Sequence, residues 1–347
     1  MSEPAPEATP RGRRVRYSGK YPRRFAEKYK ERDPERYNST VAKVLESGKT
    51  PAGTHRPIMV AEILDLLAPQ PGEICVDCTL GYGGHTREVI ARVAPGGRVI
   101  GLDADPIELP RTEARLRGEG FGPDVFTAIR TNFAGMTQAL VKAGVSAADC
   151  ILADLGVSSM QLDDPERGFS MKFRGPLDLR MNPAKGQPAS NFLQNVTPER
   201  LATLLSENAD EPRAELLARQ LAGRLFATTT DLAAAVRRAL GERMQADERE
   251  QSVRRVFQAV RIAVNDEFAA LDSLLRQLPS CLKPGGRVAI LTFHSGEDRR
   301  VKKAFATART DGSYTAISDE VLRPSATERH ANPRSTSAKL RWAGVAV

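Results

Sequence analysis

The sequence has no long apolar run and few cysteines, and both shortages narrow the class of protein. No stretch of its 347 residues has the roughly 18 consecutive apolar side chains that would suggest a membrane-spanning helix. The first residues include Glu3 and Glu7 and lack an apolar centre, so they do not resemble a signal peptide. Four cysteines are too few for a disulfide framework in a chain of this length. We therefore expect a cytoplasmic protein without a membrane segment.

Side chains that bind metals are also scarce, and they are scattered along the chain. The four histidines are His55, His85, His294 and His330. Only Cys75 and Cys78 are close together, and no second pair completes a zinc motif. We interpret both as ordinary side chains of an apolar strand. The sequence predicts no metal site.

The positive charge is concentrated near the amino terminus. Residues 11–36 contain 11 Lys or Arg and 4 acids, which accounts for most of the formal net charge of +8. The aromatic side chains of this segment are Tyr17, Tyr21, Phe25 and Tyr29. Such a pattern is typical of an arm that binds phosphates and stacks on bases, although a solvated extension without a partner remains the alternative. We assign residues 1–52 to a basic N-terminal extension.

Beyond this arm, short β-branched runs alternate with helical stretches. The predicted strands are 74–77, 98–102, 125–129, 150–153 and 287–293, and the predicted helices between the early strands are 84–94, 106–117 and 134–143. This alternation indicates βαβ units, and hence an α/β fold with a mostly parallel sheet that helices cover on both faces.

The alternation stops after residue 154. Residues 165–250 combine a polar loop with helical patterns such as "PERLATLLSEN" and "TDLAAAVRRALGERM", which predicts a helical insertion domain. A single long helix, at roughly 252–278, is expected to lead back to the last strand. The α/β domain would then comprise residues 53–164 and 251–347.

A glycine-rich turn follows the first predicted strand, in the segment "DCTLGYGGH". Gly81, Gly83 and Gly84 permit positive φ angles and a close approach of a ligand to the backbone. In open parallel sheets, ligands bind beyond the carboxyl ends of the strands, where this turn lies. The dinucleotide pattern G-x-G-x-x-G is incomplete because Thr86 occupies its third glycine position.

Two acids at successive strand ends narrow the choice of ligand. Asp77 ends the first strand, where its charge would repel a pyrophosphate and attract an ammonium group. Asp103 ends the second strand and can accept hydrogen bonds from both hydroxyls of a ribose. A ligand with an adenosine ribose, a cationic amino-acid part and no phosphate fits both acids. These residues therefore predict S-adenosylmethionine.

Seven ordered blocks carry a family resemblance. They read "HRPIMVAEIL", "VDCTLGYGGHTREVI", "GLDADP", "ILADLGVSSMQLDDPERGFSM", "GPLDLRM", "RRVFQAVRIAVNDEF" and "LKPGGRVAILTFHSGEDRRVK". In this order they closely resemble the small-subunit ribosomal RNA methyltransferase H family, also called MraW. The chain departs from the family pattern at Gly296, where FHSLEDR is usual, and at Met160, where SSPQLD is usual.

The resemblance implies a class I S-adenosylmethionine-dependent methyltransferase that modifies N4 of one cytidine in the decoding region of 16S ribosomal RNA. It implies a Rossmann-like sheet, and either free RNA or the small ribosomal subunit as partner. The cofactor contacts that it implies are Gly83, Gly84, His85, Asp103, Phe133, Asp154 and Gln161. Phe133 would pack near the adenine, whereas Asp154 and Gln161 would lie where the methyl group meets the base.

Methyl transfer to an exocyclic amine is mainly a positioning task, in which the amine protons need acceptors. Asp154 is one candidate acceptor, although the resemblance makes it a cofactor contact, and His294 in "TFHSGEDRR" is the other. Cations near the crevice could hold the RNA phosphates. These candidates are Arg167, Arg174, Arg180, Arg299, Arg300, Lys302 and Lys303.

Two other classes of protein compete with the methyltransferase hypothesis. A nicotinamide-dependent oxidoreductase is disfavoured by the missing third glycine and by Asp77. A non-catalytic RNA-binding or ribosome-assembly protein would explain the basic arm. The intact glycine turn and both strand-end acids argue against the loss of the cofactor site.

Overall fold

The computed structural model describes residues 57–347 of the protein. The basic arm predicted at 11–36, the rest of the 1–52 extension and His55 lie outside the described residues. None of the described helices is long and apolar enough to cross a membrane.

A seven-stranded sheet forms the centre of the described chain, and its strand order is β3-β2-β1-β4-β5-β7-β6. The strands are β1 (Ile74–Asp77), β2 (Arg98–Asp103), β3 (Phe126–Arg130), β4 (Ala148–Asp154), β5 (Leu282–Thr292), β6 (Ala316–Ile317) and β7 (Lys339–Gly344). All neighbouring pairs are parallel except those that involve β7. The predicted α/β fold with a mostly parallel sheet is confirmed.

Helices cover both faces of this sheet. One face is covered by α1 (Val60–Leu67), α2 (Gly84–Val93) and α3 (Glu108–Gly118), which contribute to one apolar core. The other core includes α4 (Met136–Lys142), α11 (Glu267–Cys281) and α12 (Ser295–Thr310). Successive side chains of β2 alternate between these cores, because Val99 belongs to the first and Ile100 to the second.

A third apolar core lies among the first six helices that follow β4. These helices are α5 (Ser159–Asp163), α6 (Ala189–Asn195), α7 (Pro198–Ala209), α8 (Ala214–Leu221), α9 (Thr229–Leu240) and α10 (Ala246–Asn265). Leu205, Leu217, Val236 and Val256 are completely buried within this core. The core extends along α10 to Val260, ten residues past the predicted end of the insertion at 250. The domain boundaries themselves remain a proposal.

The prediction of one long helix over 252–278 is wrong. Two helices, α10 and α11, meet at Asp266, whose φ of 54° lies in the left-handed region. The apolar periodicity continues across this break, so the sequence pattern alone does not mark it. The side chain of Asn265 is held by a distant loop, since it accepts from the backbone amide of Met181 at 2.7 Å and donates to the carbonyl of Leu179 at 2.7 Å. That tertiary contact coincides with the end of α10.

The sequence analysis also missed the last two strands and the short helix α13 (Ala326–Ala331). Strand β6 has two residues, too few for a periodic pattern. Strand β7 inserts antiparallel between β5 and β6, with Leu291 beside Leu340. β7 lies between β5 and β6 in the sheet although it follows both in the chain, and no local sequence pattern indicates which strands it pairs with.

Candidate cofactor and substrate site

The carboxyl ends of three adjacent strands bring the predicted acids to one edge of the sheet. Asp77, Asp103 and Asp154 are the last residues of β1, β2 and β4. In register, Asp77 lies beside Gly101 on one neighbour and Leu152 on the other. This edge is where open parallel sheets bind their ligands.

The glycine turn between β1 and α2 brings the backbone close to its neighbours. Gly81 and Gly83 have φ angles of 48° and 74°, which favour glycine. Gly84 opens α2, and a Cβ added there would lie 2.5 Å from Cγ of Pro57. The amide of Gly81 donates to Oδ2 of Asp103 at 2.9 Å, which ties the turn to the end of β2.

The carboxylate of Asp77 stabilises this turn through two hydrogen bonds. Its side chain is only 3% exposed; Oδ1 accepts from the amide of Thr79 at 3.0 Å, and Oδ2 accepts from the hydroxyl of Thr86 at 2.7 Å. Direct contact with a ligand ammonium, which the sequence analysis predicted, would require the carboxylate to share these bonds. The described geometry gives Asp77 a role in shaping the turn.

Asp103 combines burial with backbone hydrogen bonds. Burial raises its pKa to about 6, even though hydrogen bonds from the amides of Asp105 and Gly81 act in the opposite direction. Each carboxylate oxygen accepts one amide bond and retains a second lone pair. These free acceptor positions suit the paired hydroxyls of a ribose.

Asp154 has an oxygen that the protein leaves without a hydrogen bond. Oδ1 is buried and has no partner, whereas Oδ2 lies 3.7 Å from Nδ1 of His85. Burial raises the pKa of Asp154 to about 6; the charge of His85 lowers it in part, and Asp77 and Glu297 raise it. The other ring nitrogen of His85 lies 3.0 Å from the carbonyl oxygen of Ile58. A buried acceptor without a partner at a strand end is a feature of ligand sites.

Asp105, which the sequence analysis did not select, connects two parts of the site. It is completely buried, and its own amide donates to Oδ1 of Asp103 at 2.8 Å. Its Oδ1 accepts from the amide of Ile107 at 2.9 Å, at the start of α3. Its Oδ2 accepts from Nε2 of Gln161 at 2.8 Å and from Nη1 of Arg167 at 2.7 Å. A signal was present, because an Asp before Pro in "DADP" is typical of a turn or helix start.

These bonds change the roles expected of Gln161 and Arg167. The amide of Gln161 is held on both sides, since its Oε1 also accepts from the backbone amide of Ser158 at 2.9 Å. The side chain of Arg167 is 11% exposed, and its Nη2 donates to the carbonyl of Met181 at 2.9 Å. We therefore assign Arg167 to positioning of the loop rather than to the predicted phosphate contact.

Phe133 opens a short 3-10 turn, Phe133–Gly135, directly after β3. Its ring is partly buried and packs against the core that contains α4 and α11. This position follows the third strand of the sheet, next to the strand that carries Asp103. Contact with an adenine stays a prediction.

His294 is the N-cap of α12. Its Nδ1 accepts from the amide of Glu297 at 3.4 Å, and the carboxylate of Glu297 accepts in return from the amides of His294 and Phe293. Nε2 lies 3.1 Å from Oε1 of Glu297. Burial acts to raise the pKa of Glu297, but His294, the amide of Phe293 and the charge of Arg261 together lower it. This cap gives His294 a structural role that does not require direct catalysis.

Gly296, the departure from the family pattern, lies beside an aromatic ring. A Cβ at this position would lie 2.7 Å from Cζ of Phe268. The ring of Phe268 also lies below the guanidinium of Arg300, at 4.1 Å from its Cζ, and 5.8 Å from the ring of His294. Glycine therefore makes room for Phe268 at the start of α12.

The remaining predicted RNA contacts form two groups. In the loop, Arg174 is exposed, whereas Arg180 makes two hydrogen bonds with the carboxylate of Asp178. On α12, Lys302 and Lys303 are exposed. The other two predicted contacts on α12 have acidic partners: Arg299 binds both oxygens of Asp210, and Arg300 contacts Asp272 at 3.3 Å.

Within residues 57–347, no group of three or more His, Cys, Asp or Glu side chains could hold a metal ion. The four cysteines are buried and free.

The mostly parallel sheet with its antiparallel β7, and the glycine turn between two strand-end acids, fit a methyltransferase whose methyl donor is S-adenosylmethionine. The chain belongs to the MraW methylase family, whose model matches residues 52–345. This membership confirms the resemblance seen in the sequence and the prediction of a methyltransferase.

Curated relatives match nearly the whole chain. Ribosomal RNA small subunit methyltransferase H 1 of Lachnoclostridium phytofermentans is 48% identical over 339 residues, which cover 95% of this chain and 92% of that protein. Methyltransferase H 2 of Alkaliphilus metalliredigens is also 48% identical and covers 96% and 97%. Ribosomal RNA small subunit methyltransferase H of Rubrobacter xylanophilus is 42% identical over 311 residues, which cover 84% of this chain and 96% of that protein.

The residues at the sheet edge fit S-adenosylmethionine. Gly84 packs too closely on Pro57 to carry a side chain, and it opens α2, whose first backbone amides have no intrahelical acceptor and can donate to a ligand. Asp103 offers a free lone pair on each carboxylate oxygen for the hydroxyls of the cofactor ribose. When bound, the cofactor would supply a methyl group activated by a sulfonium.

Proposed function

We propose that the protein methylates N4 of a cytidine in the decoding region of 16S ribosomal RNA. The curated relatives, which are named as methyltransferases of small-subunit ribosomal RNA, support this substrate class. The observation that carries the proposal is Oδ1 of Asp154, a buried acceptor without a partner at the end of β4.

Asp154 can orient the amine that receives the methyl group. A cytidine N4 carries two protons and a lone pair that is delocalised into the ring, so productive alignment depends on acceptors for those protons. With a pKa of about 6, the carboxylate is mostly ionised at neutral pH. Oδ1 would accept a hydrogen bond from N4, while Oδ2 remains beside His85. After transfer, one N4 proton leaves, and Asp154 is a suitable acceptor for it.

The remaining residues divide the binding task. Asp103 and the amides of the glycine turn would hold the ribose and amino-acid parts of the cofactor. The ion pair between Arg299 and Asp210 connects α12 with the end of α7, and thereby joins one wall of the crevice to the helical insertion. We propose this insertion as the wall of the nucleotide pocket.

The partner in this proposal is 16S ribosomal RNA, either free or within the small subunit. The exposed cations Arg174, Lys302 and Lys303 are the described candidates for phosphate contacts. The proposal places the protein in the cytoplasm, with its RNA substrate.

The test is transfer of labelled methyl from S-adenosylmethionine to small ribosomal subunits that lack the modification, followed by nucleoside analysis. We expect labelled N4-methylcytidine with the wild-type protein. Asp103→Ala should abolish the product by loss of cofactor binding, and Asp154→Asn should reduce turnover while the cofactor still binds. Binding of the RNA without any transfer of label would instead support a non-catalytic protein.

A further inference from the structure

Three consecutive exposed side chains, Lys172, Phe173 and Arg174, form a loop tip, of which the proposed function uses only Arg174 as a candidate phosphate contact. Phe173 is 42% exposed, and every other Phe, Tyr and Trp among residues 57–347 is buried or half-buried. An exposed aromatic ring has lost the burial that usually stabilises such a side chain. The ring is therefore available to a partner.

The two cations beside this ring are also available. Neither Lys172 nor Arg174 forms an ion pair with the described residues, in contrast to Arg180, Arg299 and Arg300. An apolar partner surface would have to desolvate both charges, which is costly. A partner that carries its own negative charges on either side of a flat apolar group avoids that cost.

The backbone of the tip is held firmly. The hydroxyl of Thr229, a completely buried residue, donates to the carbonyl of Phe173 at 2.7 Å and accepts from the amide of Gly175 at 3.3 Å. The backbone amide of Thr229 donates to the carbonyl of Gly175 at 3.0 Å. A Cβ at Gly175 would collide with the carbonyl of Pro165. The two sides of the loop therefore pack backbone against backbone below an exposed ring.

The base of the same loop is tied to the cofactor side of the sheet. Arg167 lies within it and binds Oδ2 of Asp105, whose amide binds Asp103. The opposite side of the base is held as well, because Nη2 of Arg167 donates to the carbonyl of Met181. The ring of Phe173 therefore has a defined position relative to the cofactor-binding acids. Because the loop is already ordered, contact with a partner costs little conformational entropy.

We propose that Lys172, Phe173 and Arg174 form a stacking tip: an unpaired RNA base packs on the ring of Phe173, and the two cations contact the phosphates on either side. Single-stranded RNA has this chemistry, with flat bases joined by charged phosphates. The inference rests on the proposed function, since it assigns the tip to the same RNA substrate.

The first test separates stacking from simple burial. Phe173→Leu keeps an apolar side chain but removes the aromatic ring face. Phe173→Trp keeps an aromatic ring face and makes it larger. We expect Phe173→Leu to raise the KM for the RNA substrate by roughly tenfold, within the range for loss of one stacked base. Turnover at saturating RNA, the Kd for S-adenosylmethionine and the thermal midpoint should stay unchanged, and Phe173→Trp should behave like wild type. Val141→Ala, at another exposed apolar position, is the control.

The second test observes the contact directly. The chain contains one tryptophan, Trp342 in β7, so the pair Trp342→Phe and Phe173→Trp places the only indole at the tip. Addition of a single-stranded segment of 16S ribosomal RNA should quench its fluorescence, and addition of S-adenosylmethionine alone should not. Replacement of Lys172 and Arg174 by Gln should make the dependence of log affinity on log salt less steep by about 1.4, the value for two phosphates of a single strand.

These readouts do not depend on methyl transfer. Quenching by RNA without any N4-methylcytidine would refute the proposed function and leave the stacking tip intact. RNA binding without quenching, together with an unchanged KM in Phe173→Leu, would overturn the stacking tip and leave the methyltransferase in place. Quenching by an unrelated protein but not by RNA would assign the tip to a protein partner and would also reject the proposal.

Discussion

The substitution Asp105→Asn tests the buried network that joins the cofactor strand to the substrate loop. The asparagine has nearly the same shape, and its Oδ1 can still accept from the amide of Ile107. In place of Oδ2 it presents an NH₂ group to Nε2 of Gln161 and Nη1 of Arg167, both of which are donors. Arg167 then loses the only carboxylate that its guanidinium contacts among residues 57–347, and its side chain is just 11% exposed.

The expected loss of stability follows from these contacts. Two hydrogen bonds to a charged acceptor disappear, each worth about 1.5–3 kcal/mol. The sum agrees with the roughly 3–5 kcal/mol that is typical when one member of a buried ion pair is removed. At about 2 °C per kcal/mol for a domain of this size, the thermal midpoint should fall by roughly 6–10 °C.

Urea unfolding followed by circular dichroism measures the free energy of unfolding, and calorimetry measures the midpoint. The matched control is Asp319→Asn, which removes a carboxylate that is 94% exposed and lies 3.9 Å from Arg309. That variant should change stability by less than about 0.5 kcal/mol. If Asp105→Asn were no more destabilising than Asp319→Asn, the reasoning about the buried network would be refuted.

Three further predictions concern other parts of the site. Burial raises the pKa of Asp154 to about 6, above its unfolded value of about 3.9. The native state therefore binds the carboxyl proton more tightly than the unfolded state does, and the free energy of unfolding falls as the pH rises between these two values. Asn cannot ionise, so the free energy of unfolding of Asp154→Asn should rise by about 1–2 kcal/mol relative to that of wild type between pH 4 and pH 7, as measured by urea unfolding. Parallel pH profiles of the two proteins would contradict the raised pKa of Asp154. Asn265→Ala leaves two backbone groups of the 179–181 loop without partners and should cost about 2–4 kcal/mol; a loss below about 1 kcal/mol would show that the loop finds other partners. Gly296→Leu should overpack against the ring of Phe268 and cost about 1–3 kcal/mol, and adding Phe268→Leu should recover part of that loss; no recovery would place the strain elsewhere.

The order of the early strands and helices could be predicted from the sequence because it depends on local patterns. Short β-branched runs and helical periodicity depend on neighbouring residues, so the edges of β1 and α2 were predicted to within about one residue. The glycine turn and the strand-end acids Asp77 and Asp103 were found for the same reason. Each lies at a defined point of one βαβ unit, and parallel strands bring such points to a common edge.

The break between α10 and α11 shows where local patterns fail. Asn265 and Asp266 continue the helical spacing in the sequence, but the side chain of Asn265 binds backbone more than eighty residues away. Likewise, the sequence singled out His294 as a candidate catalyst, which stays a prediction, and only the structure shows that it caps α12 together with Glu297. Spacing along the chain identifies a residue type at an element end without saying which bonds that residue already makes.

The sequence by itself determined the α/β class, the family and the position of the cofactor turn, because these depend on patterns within single elements. Only the tertiary structure decided which charges are available for chemistry. It buries Asp105 against Gln161 and Arg167, 56 and 62 residues further along the chain, and it leaves Oδ1 of Asp154 without a partner. The burial and the hydrogen bonds of these side chains arise where distant segments of the chain meet, so composition and spacing do not predict them.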